Sequence, residues 1–227
     1  MARYRNILIL GTSHIAKESI ERVKEAIEKT QPEVIALELD EGRLRSLTTK
    51  KKASKKEIIK VLGIKGFLFN SIGAGIEQYL GKKTGIIPGT EMKTAIEIAK
   101  EKNIKIAVID QPIQITIRKL VSSITRKEIK TFIKEFLSSL ISTKKQEKFD
   151  LNKIPSQKLI KELIKETKEK YPSIYKVLVQ ERNVYMAKKL NKLRETYPKQ
   201  QILAIVGAGH EKDIIGELKS IEKQKQV

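Results

Sequence analysis

Residues 201–210 read Gln-Ile-Leu-Ala-Ile-Val-Gly-Ala-Gly-His, and residues 6–14 read Asn-Ile-Leu-Ile-Leu-Gly-Thr-Ser-His. Each is a short, unbroken apolar run that stops at a glycine turn. A run of that length without polar alternation is the pattern of a strand buried on both faces, as in a parallel sheet. Each run also closes on a histidine three residues after a glycine, Gly11-x-x-His14 and Gly207-x-x-His210. The chain has only these two histidines, so both fall at the end of a buried strand.

Two further runs complete the pattern. Residues 34–39 (Val-Ile-Ala-Leu-Glu-Leu) and 104–109 (Ile-Lys-Ile-Ala-Val-Ile) read as strands ending near Asp40 and Asp110. Helical spacing lies between them. Ile20, Val23 and Ile27 recur before Pro32, a helix starts near Thr90, and another follows His210 over about 213–221. Alternating strands and helices imply an α/β fold with a mostly parallel sheet and flanking helices. Such sheets bind ligands outside the carboxyl ends of their strands. His14, Glu38, Asp110 and His210 are all expected there.

Residues 113–197 depart from the alternation and read as a helical insertion, placed to act as a lid, within a single domain spanning 1–227. Thr125-Arg126-Lys127-Glu128 is a capping box. It opens a helix with Ile129, Phe132, Ile133, Phe136, Leu137, Leu140 and Ile141 on one face. Leu159, Ile160, Leu163 and Ile164 mark a second helix, and residues 175–193 a third. Residues 61–85, rich in glycine and apolar side chains, read as a helix plus loops near the site.

Composition narrows the function. The 227 residues are 40% hydrophobic and 33% charged, with a net charge of +20 and neither Cys nor Trp. Disulfides and thiolate metal sites are excluded. The positive charge favours acidic partners or an anionic membrane surface, with its densest run at Lys50-Lys51-Lys52-Ala53-Ser54-Lys55-Lys56. Aromatic residues are only 5%, too few for base-stacking platforms, and no groove-reading motif is present, so nucleic acid is not an expected partner. No stretch approaches the ~18 apolar residues of a membrane helix, and no signal peptide is visible.

Imidazole at a strand end can ligate a metal, carry a proton or donate to an oxyanion. No short zinc motif occurs, so a metal site would be assembled from distant segments. Two histidines with one or two carboxylates suit Mn, Co, Zn or Fe. The acids also have ordinary structural explanations. Glu38 could pair with Arg43 at its strand end. Glu91 would stabilise a helix N-terminus, and Asp110 would cap a helix. Arg182, on the third helix of the insertion, reads from position alone as solvated surface.

Taken in order, several motifs resemble the TraB/PrgY/GumN/Tiki superfamily, in particular its TraB (pheromone shutdown) branch. They are Gly11-Thr12-Ser13-His14, Ala36-Leu37-Glu38-Leu39-Asp40 and Leu80-Gly81-Lys82-Lys83-Thr84-Gly85 with Pro88-Gly89-Thr90-Glu91-Met92. Ile109-Asp110-Gln111-Pro112, Glu181-Arg182-Asn183 through Met186-Ala187, and Val206-Gly207-Ala208-Gly209-His210 follow. The resemblance implies a core similar to erythromycin esterase and ChaN, carrying a helical insertion. It also implies a metal-dependent peptidase or hydrolase of the Tiki kind, acting on a peptide or protein N-terminus. The alternative is a non-catalytic regulator that sequesters a peptide or other ligand.

The same resemblance carries the family's site onto His14, Glu38, Glu91, Arg182 and His210. His14, His210 and Glu38 would hold Mn, Co or Zn, and Glu38, Glu91 and Arg182 would serve catalysis. The expected partners are a peptide or protein substrate, an anionic membrane surface and a second copy of the chain as a homodimer. The expected location is cytoplasmic or membrane-associated, with a membrane anchor beyond this chain. The sequence departs from the family pattern at Gln111, which stands where many relatives carry an arginine.

Overall fold

In a computed structural model the described residues are 1–14, 16–49, 55–85, 87–141, 154 and 156–225. Residues 50–54 of the basic run, the side chains of Phe136, Leu137, Leu140 and Ile141, and residues 226–227 lie outside the described set.

The sheet has five strands in the order β1-β2-β5-β3-β4. They are β1 (Ala2–Tyr4), β2 (Ile7–Thr12), β3 (Val34–Leu37), β4 (Lys105–Val108) and β5 (Ile202–Gly207). The last four are mutually parallel, and only β1 runs antiparallel, along β2. The short edge strand β1 was not legible in Ala-Arg-Tyr, which has no apolar periodicity. The strand β5, last in the chain, pairs with β2 on one side and β3 on the other. It thereby brings the two glycine turns together, with Thr12 beside Gly207.

Two-sided burial explains the unbroken apolar runs. Ile7, Ile9, Val34, Ala36, Ile202, Ala204 and Val206 face one core, packed against Met186, Ala187, Leu190, Ile214 and Leu218. These last come from the helices α9 (Glu181–Thr196) and α10 (Glu211–Gln224). Leu10, Ile35, Leu37, Leu203 and Ile205 face the other core, against Val23, Ala26, Ile27, Met92, Ala95 and Ala99. Those belong to α1 (Lys17–Thr30) and α4 (Thr90–Glu101). The strand period of two thus supplies both layers of a helix–sheet–helix sandwich.

Between β3 and β4 lie α2 (Glu41–Thr48) and α3 (Lys55–Thr84) before α4. The segment expected as helix plus loops is helical through Thr84, with one break at Gly63. Asp40 holds two helices at once. Its Oδ1 accepts from the Arg43 N–H at 2.7 Å and caps α2, while Oδ2 accepts from the Ile113 N–H at 2.8 Å. The latter begins α5 (Ile113–Ser123), so Asp40 caps the helix for which Asp110 was the expected cap.

Beyond β4 the described elements up to β5 are all helical: α5, α6 (Arg126–Ile141), α7 (Gln157–Lys170), α8 (Pro172–Tyr175), a π-helical turn (Lys176–Gln180) and α9. The capping box forms as read. Thr125 Oγ1 accepts from the Glu128 N–H at 3.2 Å, and Glu128 Oε2 accepts from the Thr125 N–H at 2.8 Å. Glu128 Oε1 also accepts from the Ser173 N–H at 2.7 Å, which joins α6 to α8. Ile129, Phe132 and Ile133 on the apolar face of α6 are exposed. Replacing Thr125 by Ala should cost about 1 kcal/mol of stability, the usual effect of losing an N-cap. Urea denaturation measures it, and an unchanged midpoint would show that the box contributes nothing.

Candidate functional site

The carboxyl ends of β2, β3, β4 and β5 meet at one edge, and the site lies just beyond it. Gly207 stands at its centre. A Cβ built there would lie 3.4 Å from Glu38 Oε2, 3.5 Å from His210 Cδ2 and 3.8 Å from His14 Nε2. Glycine leaves this space between the two imidazoles and the carboxylate open. The Gly207 N–H also donates to Glu38 Oε2 at 2.5 Å.

Glu38 is buried, its side chain 3% exposed. Its partner is Arg182, not Arg43: Arg182 Nη2 donates to Glu38 Oε1. Arg182 Nε and Nη2 also make a fork onto Asp110, donating to Oδ1 and Oδ2 at 2.9 Å each. Arg182 Nη1 donates to the Leu178 carbonyl at 3.1 Å, inside the π-helical turn that precedes α9. Arg182, its side chain 16% exposed, is therefore a largely buried hub and not the solvated surface residue that its helical position suggested. Burial opposes the charge of Glu38. The charges of His210, Arg182 and His14, with the Gly207 N–H, outweigh it and hold the carboxyl down at about 2. Burial likewise opposes the guanidinium charge, yet Glu38 and Asp110 hold Arg182 well above its ordinary value.

The two histidines are held differently. His14 Nδ1 lies 2.5 Å from Glu91 Oε1, a carboxylate buried in the first turn of α4. The Gly89 N–H, just before that helix, donates to the His14 carbonyl at 3.3 Å and ties the loop to it. Gly89 has φ 86°, which an L side chain rarely adopts. Burial pushes the His14 pKa down, but the hydrogen bond and charge of Glu91 prevail and raise it. The side chain of His14 is 38% exposed, so this ring faces the solvent.

His210 begins α10 and is buried. Its Nδ1 lies 2.5 Å from Asn183 Oδ1, and Asn183 Nδ2 donates to Asp213 Oδ2 at 3.2 Å. Its Nε2 lies 3.4 Å from Glu38 Oε1 and 3.5 Å from Arg182 Nη1. Burial lowers its pKa, with Arg182 adding to the effect against the pull of Glu38 and Asp110.

The structure thus gathers Glu38, Arg182 and His210 into one contact network and brings His14, backed by Glu91, to the same glycine. Sequence reading gave Asn183 no role of its own, although it stands in the Glu181-Arg182-Asn183 motif, and it placed Asp110 at the strand-end edge with a helix cap as its structural explanation. Gln111 turns inward and donates from Nε2 to Thr116 Oγ1 at 2.9 Å, so its position serves packing. Among the described residues, no three of His, Asp or Glu are gathered so as to hold a metal ion.

The sequence matches the TraB/PrgY/gumN family over residues 3–225. The chain belongs to this family. It is similar to an uncharacterized protein of Methanocaldococcus jannaschii, 37% identical over 98% of this chain and 55% of the relative. TraB domain-containing proteins of Bos taurus and Homo sapiens are 24% and 23% identical over 79% of this chain and 50% of their own length. The chain therefore spans about half the length of these TraB relatives. Among the described residues no helix is long and apolar enough to cross a membrane.

The buried ion cluster sets a measurable cost. The stabilisation from Glu38 is complete above its ordinary carboxyl range near 4.5 and is lost as the pH falls toward about 2. Arg182→Leu should destabilise the fold by about 3–5 kcal/mol at neutral pH, because it leaves two buried carboxylates without their cation. The deficit should shrink in mild acid, where Glu38 without its cation can take a proton. Urea denaturation across pH reads both effects, and a cost under about 1 kcal/mol would mean that the cluster is not buried in solution.

Proposed function

We propose that this domain is a metal-dependent hydrolase acting on a peptide or protein, at the N-terminus as its family resemblance implies. The observation that carries the reading is the pair of imidazoles around Gly207. Each ring is anchored through Nδ1, to Glu91 or Asn183. His14 Nε2 and the Cδ2 edge of His210 then approach the same open point, with His210 Nε2 next to Glu38. An imidazole fixed through one nitrogen by an acceptor, with the other nitrogen turned to a crevice, is the usual form of a metal-binding histidine.

The donor chemistry fits a divalent ion such as Mn, Co or Zn, held by His14 and His210 with Glu38 beside them. When bound, the ion would polarise a scissile carbonyl and lower the pKa of a bound water. Glu38 would have to serve it while still paired with Arg182. A carboxyl held at about 2 is a poor general base at neutral pH, so Glu38 acts as an anionic anchor. Arg182, oriented by Asp110, supplies the positive charge for a developing oxyanion. Glu91 orients His14, the more accessible of the two rings.

A second reading, capture of a peptide without cleavage, is favoured by one observation. Glu38 and Arg182 already hold each other in an ion pair, which can grip a ligand's polar groups with no ion bound.

Incubation with a peptide library and Mn, Co or Zn, read by mass spectrometry, separates the readings. The hydrolase reading expects cleavage that a chelator stops. Peptide that is bound and recovered intact supports capture. His14→Ala should cut cleavage by about 100-fold or more with an unchanged circular dichroism spectrum. Gly207→Ala should also fold, since its methyl makes ordinary contacts, yet lose cleavage by filling the crevice. Undiminished activity in both variants would overturn the proposal.

A further inference from the structure

His210 Nε2 stands between opposed demands. Glu38 Oε1 at 3.4 Å would accept a proton from it, whereas Arg182 Nη1 at 3.5 Å has only a proton to give. One proton serves a neutral ring, and its position decides whether the crevice meets an N–H or a lone pair.

The other side of the ring decides it. Asp213 is a carboxylate and can only accept, so the Asn183 amide points Nδ2 toward it at 3.2 Å. That orientation leaves Asn183 Oδ1, also only an acceptor, 2.5 Å from His210 Nδ1. The proton must sit on Nδ1. Glu38 competes weakly: its Oε1 lies 3.4 Å from Nε2, against 2.5 Å between Nδ1 and Asn183 Oδ1. Asn183 is buried and comes from the helical turn that carries Arg182, so one helix end positions both the guanidinium and the ring. Asp213 is exposed. With Asn183 it borders a polar cavity of about 320 Å³.

We propose that Asn183, anchored by Asp213, is a positioning residue that fixes His210 with its proton on Nδ1 and presents the Nε2 lone pair to the crevice. The use of that lone pair rests on the hydrolase reading. The tautomer does not, so the two can fail separately.

The chain's two histidines make the test clean, because ¹⁵N-histidine labelling gives two rings. At mildly alkaline pH, ring-nitrogen shifts should place the His210 proton on Nδ1. Asp213→Ala, at an exposed position, frees the amide to turn and should move the His210 ring toward a mixture of tautomers. Asp213→Asn, which can still accept from Asn183, should restore the single form. The His14 signals should stay in place throughout. Asn183→Leu should carry the His210 proton over to Nε2, toward Glu38. With Zn alone as probe, Asp213→Ala should weaken affinity about 10–100-fold, and Asp213→Asn should recover it.

A wild-type His210 protonated on Nε2, or His210 shifts that are unmoved in Asp213→Ala, would overturn the proposal. A correct tautomer with no Zn binding in any variant would sink the metal reading and leave the positioning role intact.

Discussion

Everything at the sheet edge depends on one largely buried guanidinium. Arg182 joins the carboxylates that follow β3 and β4 to a helix that reaches the sheet only after the long helical stretch from α5 onward. Stripping water from three charges costs several kcal/mol per ion, and only close geometry recovers it. Here the fork onto Asp110, the bond to Glu38, the Gly207 N–H and the Leu178 carbonyl supply that geometry. The consequence is positional. With Arg182 fixed, the first turn of α9 is fixed, Asn183 follows, and His210 takes its orientation from Asn183.

The two histidines end up with different characters although their sequence motifs match. A carboxylate stands behind His14, which is partly exposed and inclined to carry charge. An amide stands behind His210, which is buried and inclined to stay neutral. Gly207 lies between them, bare of a side chain, and Glu38 contributes fixed negative charge. A site with one chargeable ring, one neutral ring and one locked ion pair can hold a polar ligand by its polar groups while the backbone approaches closely.

The sheet was legible because its strands are buried on both faces: Ile7 to Leu10 and Ile202 to Val206 leave no polar alternation to confuse with a helix. The short antiparallel β1 carries no such signal. The strand-end position of His14, Glu38, Asp110 and His210 was also legible, since each follows an apolar run. Their partners were not. Arg182 lies 144 residues from Glu38 and 72 from Asp110, and nothing in Gln-Glu-Arg-Asn on a helix says which arginine turns inward. Family resemblance singled out Arg182 where local pattern did not. Asn183 shares the Glu181-Arg182-Asn183 motif, but its role could not be read there, because it exists only once α9 and α10 are packed side by side. The double cap at Asp40 is of the same kind, a tertiary contact made by a residue with a sufficient local explanation.

The central claim is that His14 and His210 turn their free nitrogens to one ligand beside Glu38. A crystal grown with excess Zn and measured at the zinc absorption edge tests it most directly. The account predicts an anomalous peak bonded to Nε2 of both rings, over Gly207 and next to Glu38. Two ordered rings with no peak between them, or a zinc ion bound only elsewhere, would contradict it.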